Sequence, residues 1–192
     1  MRLFSKLYTK VMDLAAHRHA ARYLAGLSFA ESSFFPVPPD VMLAPMSLAA
    51  PRRAWFYAAL TTVASVLGGI AGYALGLLAF DAIEPLLHRT GYWDDYLRAK
   101  EWFDTWGFWA VLLAGFSPIP YKVFTIAAGV VVLSFPLFVV ASLLGRGARF
   151  FLVAGVVVLG GEKMERTLRA YAETLGWILV ALAVILYLIL RG

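Results

Sequence analysis

Two apolar stretches of this chain are each interrupted by a Pro-x-Pro break with a charge two positions beyond it. They read Pro36-Val37-Pro38-Pro39-Asp40 and Pro118-Ile119-Pro120-Tyr121-Lys122. Proline has no N–H and its ring blocks helix continuation, and the residue before it is pushed toward extended geometry. Pro36, Pro38 and Pro39, and likewise Pro118 and Pro120, therefore force a break in any helix that enters. In lipid, each backbone carbonyl freed by such a break costs several kcal/mol unless something satisfies it. Broken backbone at membrane depth survives only where protein or a water-filled cavity receives it. The two breaks are expected to meet inside the protein and line a shared polar chamber.

The surroundings make lipid the relevant solvent. Hydrophobic residues are 61% of the 192-residue chain, against about 45–50% in a soluble domain. The excess implies an integral membrane protein. With no cysteine, disulfides, Fe–S clusters and thiol catalysis are excluded. Three histidines, two of them near the N-terminus, argue against a metal centre, and no cofactor is expected. The formal charge of +5 points to the cytoplasmic face and anionic lipid rather than nucleic acid.

Segment by segment, residues 1–22 read as an amphipathic interfacial helix. Arg2, Lys6 and Lys10 lie on one face and Leu3, Leu7, Val11 and Leu14 on the other, with no continuous apolar run of a cleavable leader. A membrane core follows over 23–160. Residues 23–50 form the first broken stretch, 54–80 a spanning helix, 91–106 an aromatic and charged surface helix, 107–133 the second broken stretch and 135–159 a second spanning helix. Residues 161–192 supply a linker and a C-terminal spanning helix over 175–190. If both broken stretches enter and leave on the same side, Arg52, Arg53, Lys163, Arg166 and Arg169 join the basic N-terminus inside, while Arg89, Arg98 and Lys100 stay outside among acids. The positive-inside rule favours this re-entrant arrangement with a cytoplasmic N-terminus.

The second broken stretch repeats the first. Each ends near a further proline, Pro51 or Pro136, and leads into a long helix with Ser and Gly at its middle, "SVLGG" or "SLLGRG". Under this topology the copies enter from opposite faces, as in transporters built from inverted repeats with broken helices. The fold class expected is therefore an all-α integral membrane protein. It is an inverted repeat of two opposed re-entrant helical hairpins, with three transmembrane helices and interfacial helices. Gly68, Gly72 and Gly76 recur every four residues. That spacing lets helices approach closely, within the chain or, alternatively, across a homodimer.

Five charges fall at membrane depth: Glu31, Asp40, Lys122, Arg146 and Arg149. Each costs about 2.5–3.5 kcal/mol at a helix centre on insertion scales, so they must pair or face water. Asp40 and Lys122 occupy matching repeat positions and could meet. Arg146 and Arg149 share a helix face. Guanidinium groups grip phosphate bidentately, so Arg146, Arg149 and Lys122 are candidates for binding an anionic headgroup. Glu31 and Asp40 are candidates for carrying protons, which gives a proton-coupled site for an anionic substrate. The alternative is a set of structural ion pairs in a non-transporting membrane organiser. An enzyme is not expected: no Ser–His or His–Asp set lies at membrane depth, and His17, His19 and His88 read as loop residues.

These residues resemble the DedA family, also described as VTT-domain or SNARE-associated proteins, most closely its YqaA-like branch. The resemblance covers roughly residues 25–158 and is carried by "FAESSFFPVPPDVMLAPMSLAAPRRAW", "SVLGGIAGYALG", "GFSPIPYKVFTIAAG" and "GRGARFF". It implies two opposed re-entrant hairpins among membrane helices in the bacterial cytoplasmic membrane. It also implies a role in envelope homeostasis and proton-motive-force-dependent transport, with undecaprenyl phosphate or phospholipid headgroups as substrates. The family's acidic residues near the first hairpin fall on Glu31 and Asp40, and its paired arginines after the second on Arg146 and Arg149. Many members also carry an arginine on each side of the second hairpin proline, where this chain has Gly115 and Lys122.

Overall fold

The computed structural model describes residues 19–161 except 34, 36, 118 and 119. The interfacial helix expected over 1–22, apart from its last residues, lies outside the described residues. So do the linker and C-terminal helix beyond Gly161, and Pro36 and Pro118. The described residues are helical apart from the breaks and turns between helices, with no strand among them.

The first broken stretch is a pair of short helices, α1 (Ala20–Ser33) and α2 (Asp40–Ala49). Pro39 caps α2, and its carbonyl accepts the amides of Met42 and Leu43 at 3.0 and 2.9 Å. Asp40 stands in the first turn, where a carboxylate suits the exposed N–H groups. Ala50 leaves the helical region (φ −139°, ψ 74°), as expected before Pro51. A single 3₁₀ turn, Pro51–Arg53, then opens α3 (Ala54–Thr90).

At 1.5 Å per residue, the 37 residues of α3 extend about 55 Å, well beyond the roughly 30 Å hydrocarbon layer. Its apolar part ends near Phe80, as the sequence suggests, but the helix runs on to Thr90. A hydrogen-bond ladder has no reason to stop where the lipid does. It ends at Gly91, whose left-handed φ of 78° makes it a C-cap. His88 is therefore not a loop residue: it occupies the last turn of α3, stacked 3.9 Å from Trp93.

α4 (Trp93–Phe116) is one continuous helix, where the sequence suggests a surface helix over 91–106 and a separate arm from 107. One internal glycine costs a helix only about 1 kcal/mol, and Gly107 has a packing role: a Cβ there would stand 2.8 Å from a Leu133 methyl. The aromatics of α4 do not share one face. Tyr96 and Phe103 pack inward, while Trp102, Trp106 and Trp109 point outward. The helix stops at Ser117, which is extended (ψ 166°) ahead of Pro118. α5 (Tyr121–Val130) resumes after Pro120. A tight turn with Val132 at φ 57° leads into α6 (Phe135–Gly161).

Among the described residues, two helices are apolar and long enough to cross a bilayer, Pro51–Phe80 and Phe135–Gly161. α2 and α5, with ten residues each, reach only about 15 Å and cannot. The apolar core divides in two. Leu24, Leu43, Met46, Tyr57 and Phe150 pack around the first hairpin, and Tyr73, Val111, Tyr121, Val131 and Phe138 around the second. α3 serves both. A Cβ on Gly68 would overlap the Phe29 carbonyl of α1, and one on Gly76 the Ile126 carbonyl of α5. Gly72 lies between, against the Thr125 hydroxyl, so all three glycines are engaged within the chain. Between the two cores runs a buried polar layer of Ser32, Ser65, Thr125, Ser142 and Arg146.

Candidate functional site: two ion pairs across the breaks

Arg146 sits at the centre of that layer, its side chain 3% exposed. Its Nε donates to Ser65 Oγ of α3 at 2.5 Å, and one terminal nitrogen donates to Glu31 Oε2 and, at 3.2 Å, to Ser32 Oγ of α1. Ser32 Oγ lies 3.0 Å from Glu31 Oε2 and 2.6 Å from Ser65 Oγ, closing the network. The guanidinium plane rests between Tyr121 and Phe150, 4.9 and 4.7 Å from the ring centroids, at distances where aromatic faces attract a cation. Tyr121 is fixed in turn by donating to Ser142 Oγ at 2.5 Å. One side chain thus ties together α1, α3, α5 and α6, and a buried charge is tolerated because it is paired and hydrogen-bonded.

Arg149, one turn further along α6, does something different. One terminal nitrogen donates to the Ser117 carbonyl at 2.5 Å, the other to Asp40 Oδ2 at 2.5 Å. Ser117 ends α4 at the second break and Asp40 begins α2 at the first. Arg149 therefore bridges the two breaks and satisfies a carbonyl that the prolines took out of the helix ladder. Close helix approach places it there: a Cβ on Gly145 would overlap the Leu112 carbonyl, and one on Gly115 would stand 3.2 Å from the Arg146 amide. Gly115 leaves little room for a larger residue.

Of the residues singled out in the sequence, Glu31 meets Arg146, and Asp40 meets Arg149. Acids and arginines that suggested separate proton and substrate roles are matched one to one. Lys122, which repeat alignment places opposite Asp40, stands half-buried in the first turn of α5. Pro38, Pro39 and Pro120 lie at the helix starts, as breakers should. Ser32, Ser65, Tyr121, Ser142 and Phe150 were not foreseen as part of the site. A serine beside Glu31, and another one turn ahead of the glycine stripe, were the available signals.

The chain is 48% identical to an uncharacterized protein of Haemophilus influenzae over 192 residues, all of both chains. It is 44% identical to an uncharacterized protein of Histophilus somni over 191 residues, again the full length of both. It is 33% identical over 107 residues to undecaprenyl phosphate transporter A of Staphylococcus aureus, a match spanning 53% of this chain and 51% of that one. No solved structure matches. The VTT domain matches residues 37–159, from the first break to the end of α6, and with two full-length relatives it establishes that this membrane protein belongs to the VTT-domain family, the domain that defines the DedA proteins.

Proposed function

We propose that the protein is a multi-pass transporter or flippase of the bacterial inner membrane, with its N-terminus cytoplasmic. It moves an anionic lipid headgroup, a lipid phosphate, or a small anion, coupled to protons and in support of envelope homeostasis. The observation that carries this reading is the pairing of two arginines, one buried and one partly buried, with two carboxylates beside the helix breaks. A structural scaffold in lipid needs no such charges, and intramembrane ionisable groups generally mark a transport path. The name of the Staphylococcus aureus relative, a transporter of undecaprenyl phosphate, supports the substrate class. The shortness of α2 and α5 supports two re-entrant hairpins.

In this mechanism Arg146 and Arg149 of α6, with Lys122 of α5, supply positive charge to the headgroup. Glu31 and Asp40 carry the protons. A carboxylate whose arginine turns to the substrate loses its counter-ion, and a proton taken from water restores neutrality. Proteoliposomes loaded with undecaprenyl phosphate or phospholipid test this. Glu31→Gln is expected to abolish proton-dependent transport while the protein stays folded, and full activity in that variant removes the proton-carrier role. A second reading, a membrane organiser with structural ion pairs, is favoured by the saturation of Arg146. It predicts that exchanging the members of the Asp40–Arg149 pair preserves function, whereas a transporter so exchanged folds but does not transport.

A further inference from the structure

The two ion pairs differ in ways that assign them different work. In the Glu31–Arg146 pair the side chains are 14% and 3% exposed; in Asp40–Arg149 they are 23% and 20%. Arg146 reaches three side-chain acceptors and is held between two rings. Arg149 has no ring contact of that kind among the described residues and holds Asp40 through one oxygen only. The other oxygen, Asp40 Oδ1, is buried and has no hydrogen-bond partner among the described residues. A buried carboxylate oxygen without a donor is a costly arrangement, and guanidinium normally binds carboxylate with both oxygens. The Asp40–Arg149 contact is thus a substandard ion pair at the more open end of the polar layer. It would be improved by any ligand with more acceptor oxygens.

We propose that Arg149 is the anion-reading residue and Asp40 its built-in competitor: a phosphate monoester displaces the Asp40 carboxylate from Arg149. This narrows the site proposed above: Arg146, already engaged by Ser65, Glu31, Ser32 and two rings, lends its charge at a distance and does not touch the ligand. It is a positioning residue that holds α6, and with it Arg149, against α1, α3 and α5. This deepens the proposed function and rests on its substrate class. The same chemistry could come from a lipid headgroup or from free phosphate, and two probes separate them.

The test is calorimetric titration of the full chain in maltoside micelles with dihexanoyl phosphatidic acid and, separately, with inorganic phosphate. Binding of the first alone identifies a lipid headgroup, and equal binding of both a soluble anion. Asp40→Asn removes the competitor and is expected to tighten the binding observed by about tenfold, the scale of one charge-assisted hydrogen bond. Arg149→Lys is expected to weaken it by about tenfold or more at little change in Tm, since a lysine cannot reproduce the planar fork. Arg146→Lys is expected to lower Tm yet, in protein that remains folded, to bind within about threefold of wild type, as a residue outside the fork should. Weaker or unchanged binding in Asp40→Asn overturns the proposal, as does binding of neither probe by the wild type, or equal loss in the two arginine variants. Vesicle transport read alongside separates the two levels. Tighter binding in Asp40→Asn without lipid movement in wild type retains the site and removes the transporter. Transport with unaltered affinity in Asp40→Asn does the reverse.

Discussion

The two broken stretches share a backbone plan and divide the chemistry between them. The first, α1 and α2, holds both carboxylates, Glu31 and Asp40, on either side of its break. The second, α4 and α5, contributes to the network a carbonyl and an aromatic ring, Ser117 and Tyr121, and is followed on α6 by Arg146 and Arg149. Acid from one half meets base from the other, so neither half could bury its charges alone. Both stretches break at prolines, and the difference in charge between them holds the two halves together. The glycine helix α3 is the common wall against which both are seated.

The comparison breaks most severely at Arg146. Arg146→Ala leaves Glu31 buried without its cation, and removing one partner of a buried pair costs about 3–5 kcal/mol. Thermal unfolding in detergent should show a large fall in Tm, partly restored by adding Glu31→Ala; an unaltered Tm would mean the halves do not depend on this pair.

A smaller effect is expected where α3 meets the first hairpin. Gly68→Ala places a methyl against the Phe29 carbonyl, and overpacking of this kind costs about 1–3 kcal/mol. Protease sensitivity near the first break should rise while the second hairpin stays protected, and equal loosening of both would deny that α3 seats them separately. Where α3 meets the second broken stretch, Tyr73→Phe deletes the bond from its hydroxyl to the Leu133 carbonyl at 2.6 Å, worth about 1 kcal/mol. Hydrogen exchange should then quicken at the α5–α6 turn and not around α2. Least of all, Gly26→Ala on α1, with open space around it, should raise stability by about 0.5–1 kcal/mol. A loss there would reveal a close neighbour for α1 that is not among the described residues.

Much of this is legible in the sequence alone. Helix ends at Ser33, Ala49 and Phe116 follow from the prolines just beyond them. The membrane class follows from composition, and the close packing of α3 from its spaced glycines. Less legible were the continuity of α4 through Gly107 and the partner of each charge. The first failed because one glycine is too weak a breaker to override a helix that packs well. The second failed because the repeat alignment compares equivalent positions, whereas ion pairing joins complementary ones.

By itself, then, the sequence determined where the chain must break and that charge must be buried, because proline geometry and lipid solvation act on each residue locally. Only the tertiary structure decided that Glu31 belongs to Arg146 and Asp40 to Arg149. Those partners stand 115 and 109 residues apart, and over such distances contacts are chosen by how whole helices pack. That choice in turn leaves one arginine sealed between rings and the other spanning two breaks.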